Sequence, residues 1–186
     1  MRVFIKNMVC IRCKMVVKNE LEKLGLHYSF VELGEALIEE EATKEQLVLL
    51  NESLLKNGLE VLEDNRLILV EKIKTTIIEL VHYTDDQIKV NLSTYLSDKL
   101  GYNYTYLANL FSEIKGTTIE SYYLTHKIEK VKELLVYDEL NLTEIAFKLH
   151  YSSVAHLSNQ FRKMTGLTPS HFRNLKNNRR NTLGNV

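Results

Sequence analysis

The stretch Leu142–Phe172 places the tightest constraint on the fold of this 186-residue chain. Apolar residues recur in it at helical spacing in two short runs, Ile145, Ala146 and Leu149, then Leu157, Phe161 and Met164. Gly166 can end the second helix because glycine takes a positive φ without steric cost, and Thr168-Pro169 is typical of a new helix start. Two short helices joined by a few residues form a helix-turn-helix, whose second helix can enter the DNA major groove.

A second copy of this pattern lies earlier in the chain, at Asn91–Tyr122. Lys99-Leu100-Gly101-Tyr102 aligns with Lys148-Leu149-His150-Tyr151 at an offset of 49 residues, and Leu107, Asn109, Phe111, Gly116 and Tyr122 align with Leu157, Asn159, Phe161, Gly166 and Phe172 at an offset of 50. We interpret the changed offset as one extra turn residue in the first copy. A capping box at Thr117–Glu120 predicts a long helix to about Tyr137 between the copies, and Asn141–Glu144 predicts a cap for the second copy. The repeat indicates two copies of one unit.

Two helix-turn-helix units joined by a long helix resemble the DNA-binding domain of the AraC/XylS transcriptional regulators, over roughly residues 73–178. The resemblance is most specific where that family has Ile-Ala, Phe, Phe, Gly, Thr-Pro and aromatic-Arg, at Ile145-Ala146, Leu157, Phe161, Gly166, Thr168-Pro169 and Phe172-Arg173. Two positions depart, because the family has Gly-Phe at His150-Tyr151 and an Arg near Lys127. The resemblance implies a regulator that binds double-stranded DNA, with a homodimer and RNA polymerase as candidate partners.

The apolar pattern also predicts which side chains would contact DNA. If Leu157 and Phe161 face inward, the outward set on the second copy is Val154, Ala155, His156 and Asn159. The same argument from Leu107 and Phe111 gives an outward set of Tyr104, Thr105, Tyr106 and Asn109 on the first copy. Asn can pair with adenine, His can donate to guanine acceptors, and Val or Ala can contact a thymine methyl. Candidate phosphate contacts are Lys115, Ser153, Lys163 and Arg173, with the Arg179-Arg180 tail as a weaker candidate.

Charge is distributed unevenly along the chain, although the net charge is zero. Residues 1–90 hold 12 Lys and Arg against 16 Asp and Glu, whereas residues 141–186 hold 7 against one acidic residue, Glu144. A basic C-terminal end is typical of a face that binds nucleic acid. The charge alone would equally suit a solvated basic tail, and the helix pattern favours DNA.

The first 63 residues predict a small α+β domain. Strand patterns at the N-terminus, His27–Glu32, Glu35–Glu39 and Leu59–Leu62 are interleaved with two helices in the order β-α-β-β-α-β. Met15, Val16, Leu21 and Leu24 mark the apolar face of the first helix, and a capping box at Thr43–Gln46 opens the second. This order is that of the ferredoxin-like fold.

Cys10 and Cys13, the only cysteines, lie where the first strand meets the first helix. A helix N-terminus stabilises thiolate sulfur, and two nearby thiolates can bind Cu(I), or Zn(II) if outside ligands complete four. Met8–Cys13 resembles the Gly-Met-x-Cys-x-x-Cys motif of the heavy-metal-associated domain, with Asn7 in place of the Gly. Two alternatives stay open: a fold whose cysteines no longer bind metal and that serves dimerisation or partner contact, and a redox dithiol.

The predicted organisation is a ferredoxin-like α+β domain followed by an all-α domain with two helix-turn-helix units joined by a long helix. We expect the first domain at residues 1–63, a connecting amphipathic helix and loop at 64–90, the double helix-turn-helix domain at 91–178 and a basic, disordered tail at 179–186. The connecting helix, Asp64–Tyr83, carries an apolar stripe of Leu67, Leu69, Val70, Ile73, Ile77, Ile78 and Val81. No flexible segment separates it from the preceding strand, so we expect it to couple the two domains.

Other classes of protein are disfavoured. The sequence has no Gly-rich phosphate loop, nucleophile elbow or His-Glu-x-x-His, and we predict that the chain is not an enzyme. No apolar run approaches the ~20 residues of a membrane span and no signal peptide is recognisable, so we expect a cytoplasmic protein with no membrane partner. The predicted function is a sequence-specific transcriptional regulator that responds to a thiophilic metal ion. The alternative is a copper-chaperone-like protein, or a protein-interaction module whose first domain no longer binds metal.

Overall fold

The computed structural model describes residues 1–84, 90–137 and 140–175. The chain divides into two compact units, one made of Met1–Thr76 with Asn91–Gly116 and the other of Ile77–Val90 with Thr117–Val186. The two helix-turn-helix copies therefore belong to different units. The four predicted domain ranges stay a prediction, and the tail at 179–186 lies outside the described residues.

The N-terminal part of the first unit is a four-stranded antiparallel sheet with two helices. Its elements are β1 (Arg2–Lys6), α1 (Ile11–Lys23), β2 (Tyr28–Glu32), β3 (Glu35–Ile38), α2 (Lys44–Leu55) and β4 (Glu60–Leu62). The strand order is β2-β3-β1-β4, and Phe4 of β1 pairs with Glu35 on one side and Leu62 on the other. The order of helices and strands along the chain is the predicted one.

Period-two alternation in β1 buries Val3 and Ile5 in the core of this sheet. Helix α1 buries Val17 and Leu21, which lie one turn apart. The predicted apolar face of α1 was wrong at Met15, which is 58% exposed. Met15 lies about 200° around the helix from Val17 and so points away from the core.

The predicted capping box of α2 is confirmed. The Thr43 hydroxyl accepts the backbone N–H of Gln46, and the Gln46 side chain accepts the backbone N–H of Thr43. These two bonds satisfy N–H groups that have no partner inside the helix.

The connecting helix is more fully buried than an amphipathic helix, and it changes form near its end. Helix α3 spans Asn65–Ile78 and continues as a π-helical segment, Glu79–Tyr83. Leu67 lies in the first turn of α3 and is 39% exposed, so the predicted stripe was wrong there. Glu71 and Lys74 are buried instead, and their ion pair, 2.7 Å between Oε2 and Nζ, permits the burial of both charges.

The first helix-turn-helix copy consists of α4 (Leu92–Leu100) and α5 (Tyr104–Lys115). Asn91 and Asn103 cap the two helices, because each side chain accepts a backbone N–H of the first turn. Leu107 and Phe111 are fully buried, which confirms the prediction that they face inward.

The second copy lies in the other unit and follows α6 (Ile119–Tyr137). Its helices are α7 (Leu142–Lys148) and α8 (Val154–Thr165), and residues 169–175 are helical. The buried cluster of this unit contains Ile128, Val131, Leu135, Ile145, Ala146, Leu149, Tyr151, Leu157 and Phe161. Most of the predicted core is confirmed, but Met164 is 41% exposed because it lies in the last turn of α8, beyond this cluster.

The two turns differ in length, and our interpretation of the offset was wrong. Three residues separate α4 from α5, whereas five separate α7 from α8. The helix caps Asn103 and Ser153 correspond at an offset of 50, so the extra residue is Ser152, in the second copy. An insertion in the first copy would have lowered the offset rather than raised it. His150 takes a φ of 54° at the position where the first copy has Gly101, with a φ of 73°.

The π-helical segment contacts α6 through a pair of imidazoles. Nε2 of His82 lies 3.4 Å from Nδ1 of His126, and the two rings are perpendicular. Burial lowers the pKa of His82, and the nearby Lys130 lowers it further, while Glu133 and Glu129 act in the opposite direction. Since the pKa is lower in the folded state than in the unfolded state, the folded chain binds fewer protons around this pKa.

We therefore expect the free energy of unfolding to fall as the pH is lowered from about 7 to about 5, because unfolding then allows His82 to take up a proton. His82→Gln should remove the His82 contribution to this slope. The measurement is urea unfolding at a series of pH values. The exposed His171 provides the matched control, His171→Gln, which should leave the slope as in the wild type. Equal slopes in the wild type and in His82→Gln would contradict the assignment.

Candidate nucleic-acid interface

The outward face of α8 presents a small polar set at the start of the helix. Ala155, His156 and Asn159 are exposed, as the sequence predicted. Val154 is half-buried and packs against the apolar cluster of the second unit, so the prediction that it faces outward was wrong. Val154 points inward from the first turn of α8 because it covers apolar surface of the cluster that contains Leu157 and Phe161. Ser153 caps the helix by accepting the backbone N–H of His156 at 3.0 Å.

The ring of His156 is held by the two residues that form the end of the turn. Its Nδ1 lies 2.9 Å from Oγ of Ser152. Its ring also packs edge-on against Tyr151, with 5.4 Å between the ring centroids. Sequence analysis did not single out Ser152, although the rise in the repeat offset was the signal that could have found it.

Tyr151 is in turn packed against a buried cation. The Nζ of Lys127, on α6, lies 4.0 Å from the centroid of the Tyr151 ring and 5.6 Å from that of Tyr123. Burial lowers the pKa of Lys127 to about 8, while the two ring faces favour its charged form. Burial also raises the pKa of the Tyr151 hydroxyl. Lys127 thus connects the long helix to the turn of the second helix-turn-helix copy.

The predicted phosphate contacts have different surroundings. Lys115 and Lys163 are exposed at the ends of α5 and α8. Ser153 uses its oxygen as the helix cap but keeps its hydroxyl hydrogen, which can still donate. Arg173 donates from Nη2 to the carbonyl of Leu140 at 2.6 Å, so this guanidinium joins two segments of the second unit. The weaker candidates Arg179-Arg180 lie outside the described residues.

The outward face of α5 is aromatic. Thr105, Tyr106 and Asn109 are exposed, whereas Tyr104 is half-buried and departs from the predicted outward set. Tyr106 stacks on Tyr102, with 5.7 Å between centroids and 28° between ring planes.

At the far end of α5, Glu113 pairs with Arg66 of α3 at 2.7 Å. This ion pair raises the pKa of Arg66. Sequence analysis gave no signal for it, because the partners lie 47 residues apart.

The two cysteines of the first unit come close together. Sγ of Cys10 lies 3.6 Å from Sγ of Cys13, and both residues are half-buried. The backbone N–H of Cys13 is the main cause of a lowered pKa at Cys10, which favours a thiolate there. In the part of the chain that the structure describes, no three His, Cys, Asp or Glu side chains form a metal-binding group. The pair fits a soft ion with two ligands better than it fits Zn(II).

The loop before the cysteines is linked to α3. Asn7 takes a φ of 68°, at the position of the Gly in the Gly-Met-x-Cys-x-x-Cys motif. Its backbone N–H donates to Oε1 of Glu71 at 2.7 Å, and its carbonyl lies 3.9 Å from Sγ of Cys13. Glu71 therefore accepts from both the thiol loop and Lys74.

Comparison with known proteins identifies the helix-turn-helix part of the chain. Residues 96–175 match the family model "Helix-turn-helix domain". The matched segment runs from within α4 to residue 175 and includes α5, α6, α7 and α8.

Two relatives and one solved structure illustrate the similarity. The uncharacterised HTH-type transcriptional regulator YtdP of Bacillus subtilis is 26% identical over 106 residues, which are 57% of this chain. The TetD protein of transposon Tn10 from Escherichia coli is 26% identical over 120 residues, 64% of this chain and 85% of its own length. The DNA-binding domain of AdpA, a global transcriptional factor solved with a target DNA, has a TM-score of 0.51 and 19% identity, over 60% of this chain and 95% of that domain.

The chain covers very different shares of these two relatives. The chain spans only 14% of the length of YtdP, although it spans most of TetD. The likeness to the AdpA domain shows that the helix-turn-helix part of this chain shares its fold. Within residues 1–84, 90–137 and 140–175, none of the helices has the length and apolar character that a membrane crossing requires.

Tyr151→Phe tests the packing under the turn between α7 and α8. The Tyr151 hydroxyl is buried and has no hydrogen-bond partner among the described residues. A buried hydroxyl without a partner costs ~1–3 kcal/mol, and phenylalanine keeps the ring beneath Lys127. We expect Tyr151→Phe to raise the free energy of unfolding by roughly 1 kcal/mol, measured by urea unfolding. Tyr137→Phe, at a tyrosine that is 61% exposed, is the control and should change nothing. A lower stability of Tyr151→Phe would show that the hydroxyl has a partner.

Proposed function

We propose that this chain is a sequence-specific DNA-binding transcriptional regulator. The observation that carries the proposal is the exposed start of α8, with Ala155 and the polar His156 and Asn159, on a matched helix-turn-helix. The N-terminal end of such a helix is the part that enters the major groove. The basic C-terminal segment provides the charge that would draw this face to DNA.

Each exposed side chain suits a different base edge. Asn159 can donate and accept in a bidentate pair with adenine, His156 can donate to a guanine acceptor, and Ala155 can contact a thymine methyl. Val154 is omitted from this set because it packs inward. Lys163 and the Ser153 hydroxyl are the phosphate contacts that the surroundings favour.

The first copy would bind differently. Its exposed side chains are Thr105, Tyr106 and Asn109, and the stacked Tyr102–Tyr106 pair gives it a broad aromatic surface. We propose that Asn109 contacts a base and that Lys115 contacts a phosphate, with the stacked tyrosines packing along the sugar edge. Helix α5 has one basic residue, Lys115, beside the acidic Glu113, whereas α8 has Arg162 and Lys163, so the first copy would add less affinity than the second.

We further propose that the N-terminal part of the first unit, from β1 to β4, has a ferredoxin-like fold and senses a thiophilic ion, Cu(I) by preference. The βαββαβ order and the β2-β3-β1-β4 sheet support the fold. The sulfur separation of 3.6 Å and the lowered pKa of Cys10 support binding of a soft cation by two thiolates. When bound, the ion would neutralise the thiolate charge beside the α1 N-terminus. The bond from Asn7 to Glu71 would carry a change at this loop to α3.

The regulator would act in the cytoplasm, with double-stranded DNA as its partner and with a homodimer and RNA polymerase as further proposed partners. We propose no enzymatic activity, since the relative YtdP is named as a transcriptional regulator. A metal carrier or a pure interaction module has no observation in its favour that the regulator lacks.

Asn159→Ala tests the role in reading DNA. A duplex selected by the wild-type full chain from a randomised library should be bound roughly 5- to 100-fold more weakly by the variant, since a bidentate pair contributes ~1–3 kcal/mol. Binding to a scrambled duplex should change little. The measurement is fluorescence anisotropy at fixed salt.

Lys163→Gln is the contrasting variant. It should weaken both duplexes by similar factors and reduce the dependence on log salt by about one unit. Equal losses of Asn159→Ala on both duplexes would remove Asn159 from the base-reading set.

Cys10→Ser/Cys13→Ser tests the sensor. We expect the reduced wild-type protein to bind one Cu(I) in competition with a Cu(I) chelator, and the double variant to bind none. Cu(I) should change the affinity of the wild type for the selected duplex by about 5- to 150-fold, the usual size of coupling between two sites. The double variant should bind that duplex like the metal-free wild type. Equal Cu(I) affinity in both proteins, or a metal effect that persists in the variant, would refute the sensor.

A further inference from the structure

The turn before α8 contains a residue that the first copy lacks. Between the aligned turn tyrosines and the helix caps, the first copy has no residue, whereas the second has Ser152. Ser152 is exposed and is not part of the apolar cluster that holds the second copy together. Apolar packing therefore does not account for the inserted Ser152. The side-chain contact of Ser152 does account for it.

That contact is with the one imidazole on the outward start of α8. Oγ of Ser152 lies 2.9 Å from Nδ1 of His156, four residues on. Ser153, next in the chain, already satisfies the backbone N–H of His156. Ser153 thus caps the helix, and Ser152 contacts the imidazole ring of His156.

Buried packing of Tyr151 fixes the conformation of the turn that contains Ser152. Tyr151 is buried, with its ring under the Nζ of Lys127 at 4.0 Å and its edge against the His156 ring. His150 takes the positive φ that lets the chain enter this conformation. His156 is therefore confined on two sides, by an aromatic ring and by a hydroxyl.

We propose that Ser152 is a positioning residue for base recognition, which donates its hydroxyl hydrogen to Nδ1 of His156 and so places the imidazole proton on Nε2. This inference rests on the proposed function. Among the described residues, Nδ1 of His156 is the polar atom within hydrogen-bond distance of the Ser152 hydroxyl, at 2.9 Å, and the proposal assigns the serine as the donor. A neutral imidazole that accepts at one nitrogen donates at the other, so His156 presents an N–H donor to the groove.

The chemical consequence is a preference for an acceptor in the major groove. Guanine offers two adjacent acceptors there, N7 and O6, whereas the exposed edge of cytosine offers a donor. A fixed Nε2–H therefore favours a G·C pair with guanine facing His156, and it disfavours the reversed pair. The opposite tautomer, with the proton on Nδ1, would reverse this preference.

The first test needs no DNA. Long-range proton–nitrogen NMR of the full chain at pH 8, above the ordinary range of imidazole titration, reports which nitrogen of His156 carries the proton. We expect Nε2–H in the wild type, a mixture of tautomers in Ser152→Ala, and recovery in Ser152→Thr, which restores the hydroxyl. Ser153→Ala is the matched control: it should lower stability through loss of the cap and leave the tautomer unchanged. A proton on Nδ1 in the wild type, or no change in Ser152→Ala, would overturn the proposal.

The second test measures base preference. Duplexes are selected by the wild-type full chain from a randomised library, and the same library is bound by Ser152→Ala, His156→Ala and the double variant. We expect Ser152→Ala to lower the guanine preference at one position about three- to tenfold, the effect of a single hydrogen bond. It should cause no further loss in the His156→Ala background, because Ser152 acts only through His156. A loss of similar size in both backgrounds would overturn the proposal.

The two tests separate this inference from the proposed function. If the wild type selects no DNA sequence, the proposed function fails and the inference fails with it. If the wild type selects a sequence but Ser152→Ala keeps every base preference, only the inference fails.

Discussion

A buried ammonium over an aromatic ring is the interaction on which the second helix-turn-helix depends. Lys127 lies on the long helix α6, and Tyr151 lies in the turn between α7 and α8. Burying the charge is unfavourable, as the pKa of about 8 for Lys127 indicates. The ring faces of Tyr151 and Tyr123 return part of that cost, because a cation over a π-face gains ~2 kcal/mol or more when it is desolvated. The Lys127–Tyr151 pair thus orients the turn relative to α6. With apolar contacts alone, the turn would be freer to slide along α6.

This constraint explains why the two copies of the repeat have diverged. In the first copy, Gly101 takes the positive φ of the turn. Tyr102 is exposed, and its ring stacks on Tyr106 at the surface. In the second copy, the equivalent Tyr151 is buried under Lys127, and the longer turn brings a serine to the ring of His156. The same repeated sequence pattern therefore gives an aromatic surface in one copy and a polar group in contact with a serine in the other.

Sequence reasoning succeeded where periodicity carries the information and failed where side chains meet from distant parts of the chain. The helix order, the caps at Thr43 and Asn141, and the inward Leu157 and Phe161 all follow from local spacing. Met15 and Met164 were misplaced because a methionine at helical spacing carries no information about where the core ends. The polar contacts at the candidate site depend on one inserted residue, which an apolar alignment passes over. The contacts of Arg66 and Glu71 were not predicted either, because their partners lie 47 and 64 residues away in the sequence.

The Glu71 carboxylate provides a physical route for coupling that the sequence could only suggest from the lack of a linker. It is buried, pairs with Lys74 and accepts the backbone N–H of Asn7, next to the thiol loop. If a bound ion changes the separation of Cys10 and Cys13, now 3.6 Å between the sulfurs, and rotates the Asn7 peptide, the Glu71 carboxylate would lose one of its two donors. Leaving such a group short of a donor costs ~1–3 kcal/mol, which is also the usual size of an allosteric coupling energy. In the proposed sensor, the backbone hydrogen bond from Asn7 to Glu71 would be the link between the thiol loop and α3.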